Sequence, residues 1–202
     1  VTVRLLLADD QALVRQALGT LLALEDDFEV VAQVGRGDEV VGAALEHRPD
    51  VALLDIEMPG LDGLTAAAVL AEQVPECRVV VLTTFGRAGY LRRAMEAGAV
   101  GFVVKDAPAE ALGEAIRRVM AGERVVDPAL AVATLAAGES PLTARERDVL
   151  IAARGGGSVA EIAGSLYLSE GTVRNYLSGA IAKTGARNRM GAVRVAEERG
   201  WL

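Results

Sequence analysis

The chain of 202 residues contains one cysteine, Cys77, so it cannot close an internal disulfide, and one histidine, His47, too few for a His-rich metal site. Its only lysines are Lys105 and Lys183, and arginine serves at every other basic position. No apolar run approaches the roughly 18 to 20 residues that a membrane-spanning helix requires, and Val1-Thr2-Val3-Arg4 lacks the layout of a signal peptide. A cytoplasmic, reduced protein without a membrane partner is therefore expected. Hydrophobic residues make up 51% and charged residues 24%, which excludes a disordered chain. The length suits one large domain or two modest ones, and the charge favours two. From Val1 to Gly138 there are 12 Lys and Arg against 21 Asp and Glu, whereas Glu139 to Leu202 carry 9 against 7. Any nucleic-acid contact belongs to the mildly basic second part.

The first part alternates strand and helix patterns. Val51-Ala52-Leu53-Leu54 is a strand apolar on both faces, as parallel sheets flanked by helices demand. It delivers Asp55 at its C-terminal end, the edge where open α/β sheets bind ligands. Met58-Pro59-Gly60 then turns the chain. Three other strands end in chemistry-bearing residues: Val3–Ala8 in Asp9-Asp10, Val79–Leu82 in Thr83-Thr84, and Val100–Val104 in Lys105. Phe28 to Val34 completes five. Right-handed crossovers place all these ends on one edge. Inner helix faces are read at Val14, Leu18, Leu21 and Leu22; at Val40, Val41, Ala44 and Leu45; and at Ala111, Leu112, Ala115, Ile116 and Val119.

Three carboxylates, a hydroxyl and an ammonium form a coherent set. An oxygen-rich anionic pocket suits Mg²⁺, which is held through one or two carboxylates with waters and phosphate. Beside it, an Asp55 oxygen can attack phosphorus and form an acyl phosphate, with Thr83 and Lys105 holding the phosphoryl oxygens. The rival reading is a structural salt bridge among the same groups.

Asp9-Asp10, D-I-E-M-P-G-L-D-G at 55–63, Thr83-Thr84 and G-F-V-V-K at 101–105 resemble the receiver domain of two-component response regulators, over about 120 residues. The resemblance implies a flavodoxin-like, doubly wound, five-stranded parallel sheet in the order 2-1-3-4-5. It makes Asp55 the phosphoacceptor, Asp10 a direct Mg²⁺ ligand, Asp9 a ligand through water, and the Glu57 backbone carbonyl a further ligand. Thr83 and Lys105 contact the phosphoryl group, and Thr83 and Phe102 form the switch. Asp106 stands where the family often has proline.

Gly122 to Pro128 breaks the last helix of this part, and an Ala-rich linker helix is expected over 129–137. The domains expected are 1–121, a linker at 122–140, and 141–202. In the last, Thr143 with Glu146 and Ser158 with Glu161 are capping boxes, and Ser169 with Thr172 marks a third helix start. Tyr167-Leu168-Ser169 is the short connection of a helix-turn-helix, and Arg174, Asn175 and Ser178 lie on the outer face of its second helix. Core positions are Val149, Leu150 and Ala153, then Ile162, Ala163 and Leu166, then Val173, Leu177 and Ile181. Gly155-Gly156-Gly157 reads as a loose connection.

L-T-A-R-E-R-D-V-L at 142–150, S-E-G-T-V-R-N-Y-L-S at 169–178 and R-N-R at 187–189 resemble the LuxR-type helix-turn-helix, over roughly the last 60 residues. Tyr176 and Ser178 depart from residues frequent in that family. The match implies that Arg174, Asn175 and Ser178 reach base edges while Ser169, Thr172 and Lys183 contact phosphates. Together the two resemblances imply a NarL/FixJ response regulator, a transcription factor rather than an enzyme. The linker-adjacent sequence resembles the DesR-like branch. The partners implied are a sensor histidine kinase, promoter DNA, RNA polymerase and, on phosphorylation, a second copy. Two alternatives stand beside it: an Asp-nucleophile phosphatase, and a phosphorylation-independent DNA-binding regulator whose first domain is an interaction platform.

Overall fold

The computed structural model describes residues 2–83, 88–105, 109–128, 130–132 and 140–202. They form two compact units, the second built mainly from Val132–Leu202.

The first unit runs β1 Val3–Ala8, α1 Ala12–Leu22, β2 Phe28–Val34, α2 Val40–His47, β3 Val51–Asp55, α3 Gly63–Gln73, β4 Arg78–Thr83, α4 Ala88–Glu96, β5 Gly101–Val104, α5 Ala109–Met120 and β6 Val125–Val126. All strands are parallel, in the order β2-β1-β3-β4-β5-β6. Every residue of β3 is buried, as its unbroken apolar run requires of a central strand covered on both faces. The register sets Ala8 against Leu54, Asp55 against Leu82, and Thr83 against Val104, so the strands stop on a common edge.

Among the described residues six strands stand where five were expected. The extra one, β6, lies inside the stretch read as linker, and pairs Gly101 with Val125 and Phe102 with Val126. Gly122, at φ +88°, ends α5 and lets the chain return to the sheet. Two residues are too few to show a strand's period, so sequence pattern could not reveal it.

Three helix-face positions also differ. Leu21 and Leu45 are 44% and 55% exposed, and Ala111 is exposed. In α1 the buried positions are Gly19 and Leu22, with Leu18 packed partly against the core; this turns the inner face away from Leu21. Pro128 opens a helical segment whose first turn is capped by Asp127, which accepts from Leu130 N–H at 3.1 Å. The rest of the expected linker helix, with Thr84, Asp106, Pro108 and Gly138, falls outside the described residues.

The second unit holds α6 Ala144–Ala153, α7 Val159–Leu166, α8 Glu170–Thr184 and α9 Arg189–Glu198. Both capping boxes are present, at Thr143/Glu146 and Ser158/Glu161, and Asn188 caps α9. Val149, Leu150, Ala153, Ile162, Ala163, Val173 and Leu177 are buried with Trp201 and Leu202, and Leu166 and Ile181 pack partly against them. The three-glycine connection is held rather than loose: Arg189 donates to the carbonyls of Gly157 and Gly156 at 2.7 and 3.1 Å.

Candidate functional site

The shared sheet edge collects the charged residues. Asp9 and Asp10 follow β1, Asp55 ends β3, Thr83 ends β4 and Lys105 follows β5. Asp9, Asp55 and Thr83 are buried, whereas Asp10 is exposed. Carboxylate oxygens of Asp9, Asp10 and Asp55 lie within 4.8 Å of one another. Lys105 Nζ stands 2.7 Å from Asp9 Oδ2 and 3.1 Å from Asp55 Oδ1.

Backbone groups fix these side chains. Gln11 N–H donates to Asp9 Oδ1 and Ile56 N–H to Asp55 Oδ1, each at 2.9 Å. Lys105 N–H donates to the Thr83 carbonyl at 2.7 Å, which holds the lysine beside the hydroxyl's strand. Asp62 caps α3 through Leu64 and Thr65 N–H, and Gly63 N–H bonds the Ile56 carbonyl at 2.9 Å. A Cβ at residue 63 would fall 1.8 Å from the Asp55 carbonyl oxygen, so only glycine lets α3 start this close to the strand end. The Pro59 carbonyl accepts from Gly37 N–H, which braces the turn that follows Asp55. Glu57 lies exposed in that turn, and its carbonyl accepts no hydrogen bond among the described residues. Phe102 is 1% exposed, on the strand face opposite Val103 and Lys105.

Electrostatically the cluster is incomplete. Burial raises the Asp55 carboxyl above its ordinary range; Lys105 works against that rise and Asp9 adds to it. Asp9 Oδ2 and Lys105 Nζ are both buried and meet as an ion pair, and the same ammonium is shared with Asp55 Oδ1. Three carboxylates facing one ammonium leave an excess negative charge that a hard divalent cation fits. Sequence reasoning missed Arg15, which donates to the Asp9 carbonyl from the next helix. The i to i+6 spacing carries no helical signal across a loop.

In the second unit α8 buries Val173, Leu177 and Ala180 and exposes Arg174, Asn175 and Ser178. Ser169 caps this helix: its Oγ accepts from Thr172 N–H at 3.1 Å and lies 2.8 Å from Thr172 Oγ1. Arg174 donates to Glu170 at 2.6 Å, one turn back. Lys183 Nζ donates to Glu146 Oε2, also at 2.6 Å, across 37 residues. Glu146 is 6% exposed and also accepts from Thr143 N–H and Thr143 Oγ1, at 2.7 and 3.0 Å. Burial works against its ionisation, but the bonds from Lys183 and Thr143 prevail and hold its carboxyl below the ordinary range. Only the capping half of this network was visible in the sequence. Tyr167, in the turn before α8, is 96% exposed at φ +55°.

The receiver model described as "Response regulator receiver domain" matches residues 5–117, and that of "Bacterial regulatory proteins, luxR family" matches 140–196. The chain is 44% identical to the uncharacterized transcriptional regulatory protein YvfU of Bacillus subtilis (strain 168), over 99% of this chain and 100% of the relative. It is 43% identical to the transcriptional regulatory protein DesR of the same organism, over 99% of each. The crystal structure of response regulator ChrA, from a heme-sensing two-component system, is similar at 33% identity and a TM-score of 0.59, covering 100% of this chain and 99% of that one.

Proposed function

The chain belongs to the NarL/LuxR-type response regulators, transcription factors that take a signal from a histidine kinase and bind DNA, and within that role we propose that Asp55 is the phosphoacceptor. Asp55 Oδ1 is engaged by Ile56 N–H and faces Lys105, which makes Oδ2 the attacking oxygen. Its bond to phosphorus forms as the kinase's phosphohistidine P–N bond breaks, and the released imidazole nitrogen takes up a proton. Thr83 donates to one phosphoryl oxygen and Lys105 pairs with another. Asp10 and Asp55, with the Glu57 carbonyl, would hold Mg²⁺, and Asp9 would act through water. The ion, when bound, offsets the repulsion between these carboxylates and the incoming phosphoryl oxygens. The gathering of three carboxylates within 4.8 Å of one another beside a single buried ammonium supports this reading, because a site built only for stability would have matched the charges.

Movement of Thr83 toward the phosphoryl group, with Phe102 already packed inward on the neighbouring strand, shifts a pre-existing equilibrium toward a dimerising, DNA-binding state, for which a few kcal/mol of differential stabilisation suffice. Residues 141–202 supply the DNA-binding part. Arg174, Asn175 and Ser178 reach base edges, and Ser169 and Thr172 set the helix against phosphates. Lys183 stands apart from that set, because its ammonium is bonded to Glu146.

Incubation with acetyl phosphate and Mg²⁺ tests the assignment. One hydroxylamine-labile phosphate per chain is expected at Asp55, and none in Asp55→Asn. Labelling that survives in the variant refutes it. Repeated turnover of a phosphomonoester points instead to a phosphatase, and unchanged DNA binding after stoichiometric labelling to a phosphorylation-independent regulator.

A further inference from the structure

We infer that Lys183 governs DNA selectivity as a positioning residue, clasping the recognition helix α8 to α6 through the buried carboxylate of Glu146, rather than by contacting phosphate. The inference rests on the assignment of α8 to the major groove. Three observations on the two helices carry it. Lys183 Nζ reaches Glu146 Oε2 at 2.6 Å, and that same oxygen takes the N–H and hydroxyl of Thr143, the residue that starts α6. Glu146 is buried, so its charge depends on this partner. The third is Gly179, one turn before Lys183. A Cβ there would lie 2.6 Å from Glu146 Oε1, so the carboxylate is seated against the bare helix backbone. Glycine is the poorest helix former after proline, and its place in the middle of α8 is accounted for by this seat. Clasp and seat together fix both the rotation and the height of α8, on which Arg174, Asn175 and Ser178 ride.

The two readings of Lys183 predict opposite signs. If Lys183 is a phosphate contact, Glu146→Gln frees it and removes a negative charge, so DNA binding tightens. If Lys183 is a clasp, the same change loosens α8 and selectivity falls. The test uses the full chain with two duplexes, one selected by the wild-type protein from random sequence and one scrambled, titrated over a range of salt. For Glu146→Gln, Lys183→Gln and Gly179→Ala the ratio of selected to scrambled affinity should fall about tenfold, roughly one mismatched base pair's worth of discrimination. The slope of log affinity against log salt on the scrambled duplex should stay unchanged, and Lys183→Arg should restore the ratio. Tryptophan fluorescence from Trp201 confirms that each variant is folded before its affinity is read. A slope shallower by about 0.9 in Lys183→Gln, with equal losses on both duplexes, overturns the inference, as does an unchanged ratio in folded Gly179→Ala. Failure of the groove assignment is distinguishable: Arg174→Ala would then leave the ratio unchanged.

Discussion

The chain's two lysines each face a buried carboxylate, and the two pairs are finished differently. Lys183 and Glu146 form a saturated network: the acceptor oxygen is bonded by the ammonium, an amide and a hydroxyl. Lys105 and Asp9 meet at a similar distance, yet that one ammonium is shared with Asp55, and a third carboxylate, Asp10, crowds the same space. Buried charge that is fully answered by protein groups holds helices together. Buried charge left half answered is kept for something that arrives. The contrast separates structural from functional ionisation within one polypeptide, and substitutions should push the two sites in opposite directions.

The largest effect is expected in the saturated network. Glu146→Ala leaves the part-exposed Lys183 ammonium unpaired and removes the Glu146 half of the α6 capping box, and should lower unfolding free energy by about 2 kcal/mol, read from denaturant unfolding of the full chain followed by Trp201 fluorescence. A change below 0.5 kcal/mol would place this pair among ordinary surface ion pairs.

The second expectation has the opposite sign. Asp10→Asn removes one of three mutually repelling carboxylates, and should stabilise the first unit by about 1 kcal/mol while weakening Mg²⁺ binding. Loss of stability in that variant would mean that the acidic cluster is structural after all.

How far these two sites could be read from sequence differs for a physical reason. Strand-end residues such as Asp55, Thr83 and Lys105 are legible because an apolar strand has a fixed direction, and parallel topology gathers all C-terminal ends. Helix starts at Thr143, Ser158 and Ser169 are legible because caps are local chemistry. Pairing of Glu146 with Lys183, the Arg189 clamp on Gly156 and Gly157, and β6 are not, since each depends on contacts between segments far apart in the chain or too short to show a period. Leu21 and Leu45 were misplaced because helical spacing marks a broad apolar face, and packing at Gly19 and Ala44 selects which part of it is buried.

Acidity should also separate the sites. The lowered Glu146 carboxyl contributes stability that is present above its ordinary value of 4.5 and lost as pH falls through its folded value. The raised Asp55 carboxyl does the reverse: its contribution in Mg²⁺-free protein is present below 3.8 and lost as pH rises through its folded value. As pH falls below 4.5, Trp201 fluorescence should therefore report weakening of the second unit. As pH falls toward 3.8, hydrogen exchange in β3 should show a stabilising contribution from Asp55. Parallel trends at both sites would erase the distinction.

The smallest effect concerns neither site. Leu45→Gln, at a 55% exposed position, should change stability by less than about 0.5 kcal/mol, and a larger loss in urea titration would show that this leucine is covered in solution.

The distinction between answered and unanswered charge is tested most directly by following backbone hydrogen exchange of the full chain as Mg²⁺ is added. Amides of β1, β3 and the residues joining them to Asp10 and Glu57 should gain protection, up to about 2.7 kcal/mol at a hundredfold excess over Kd, while α6 and α8 stay unchanged. Equal protection in both units, or none around Asp55, would contradict it.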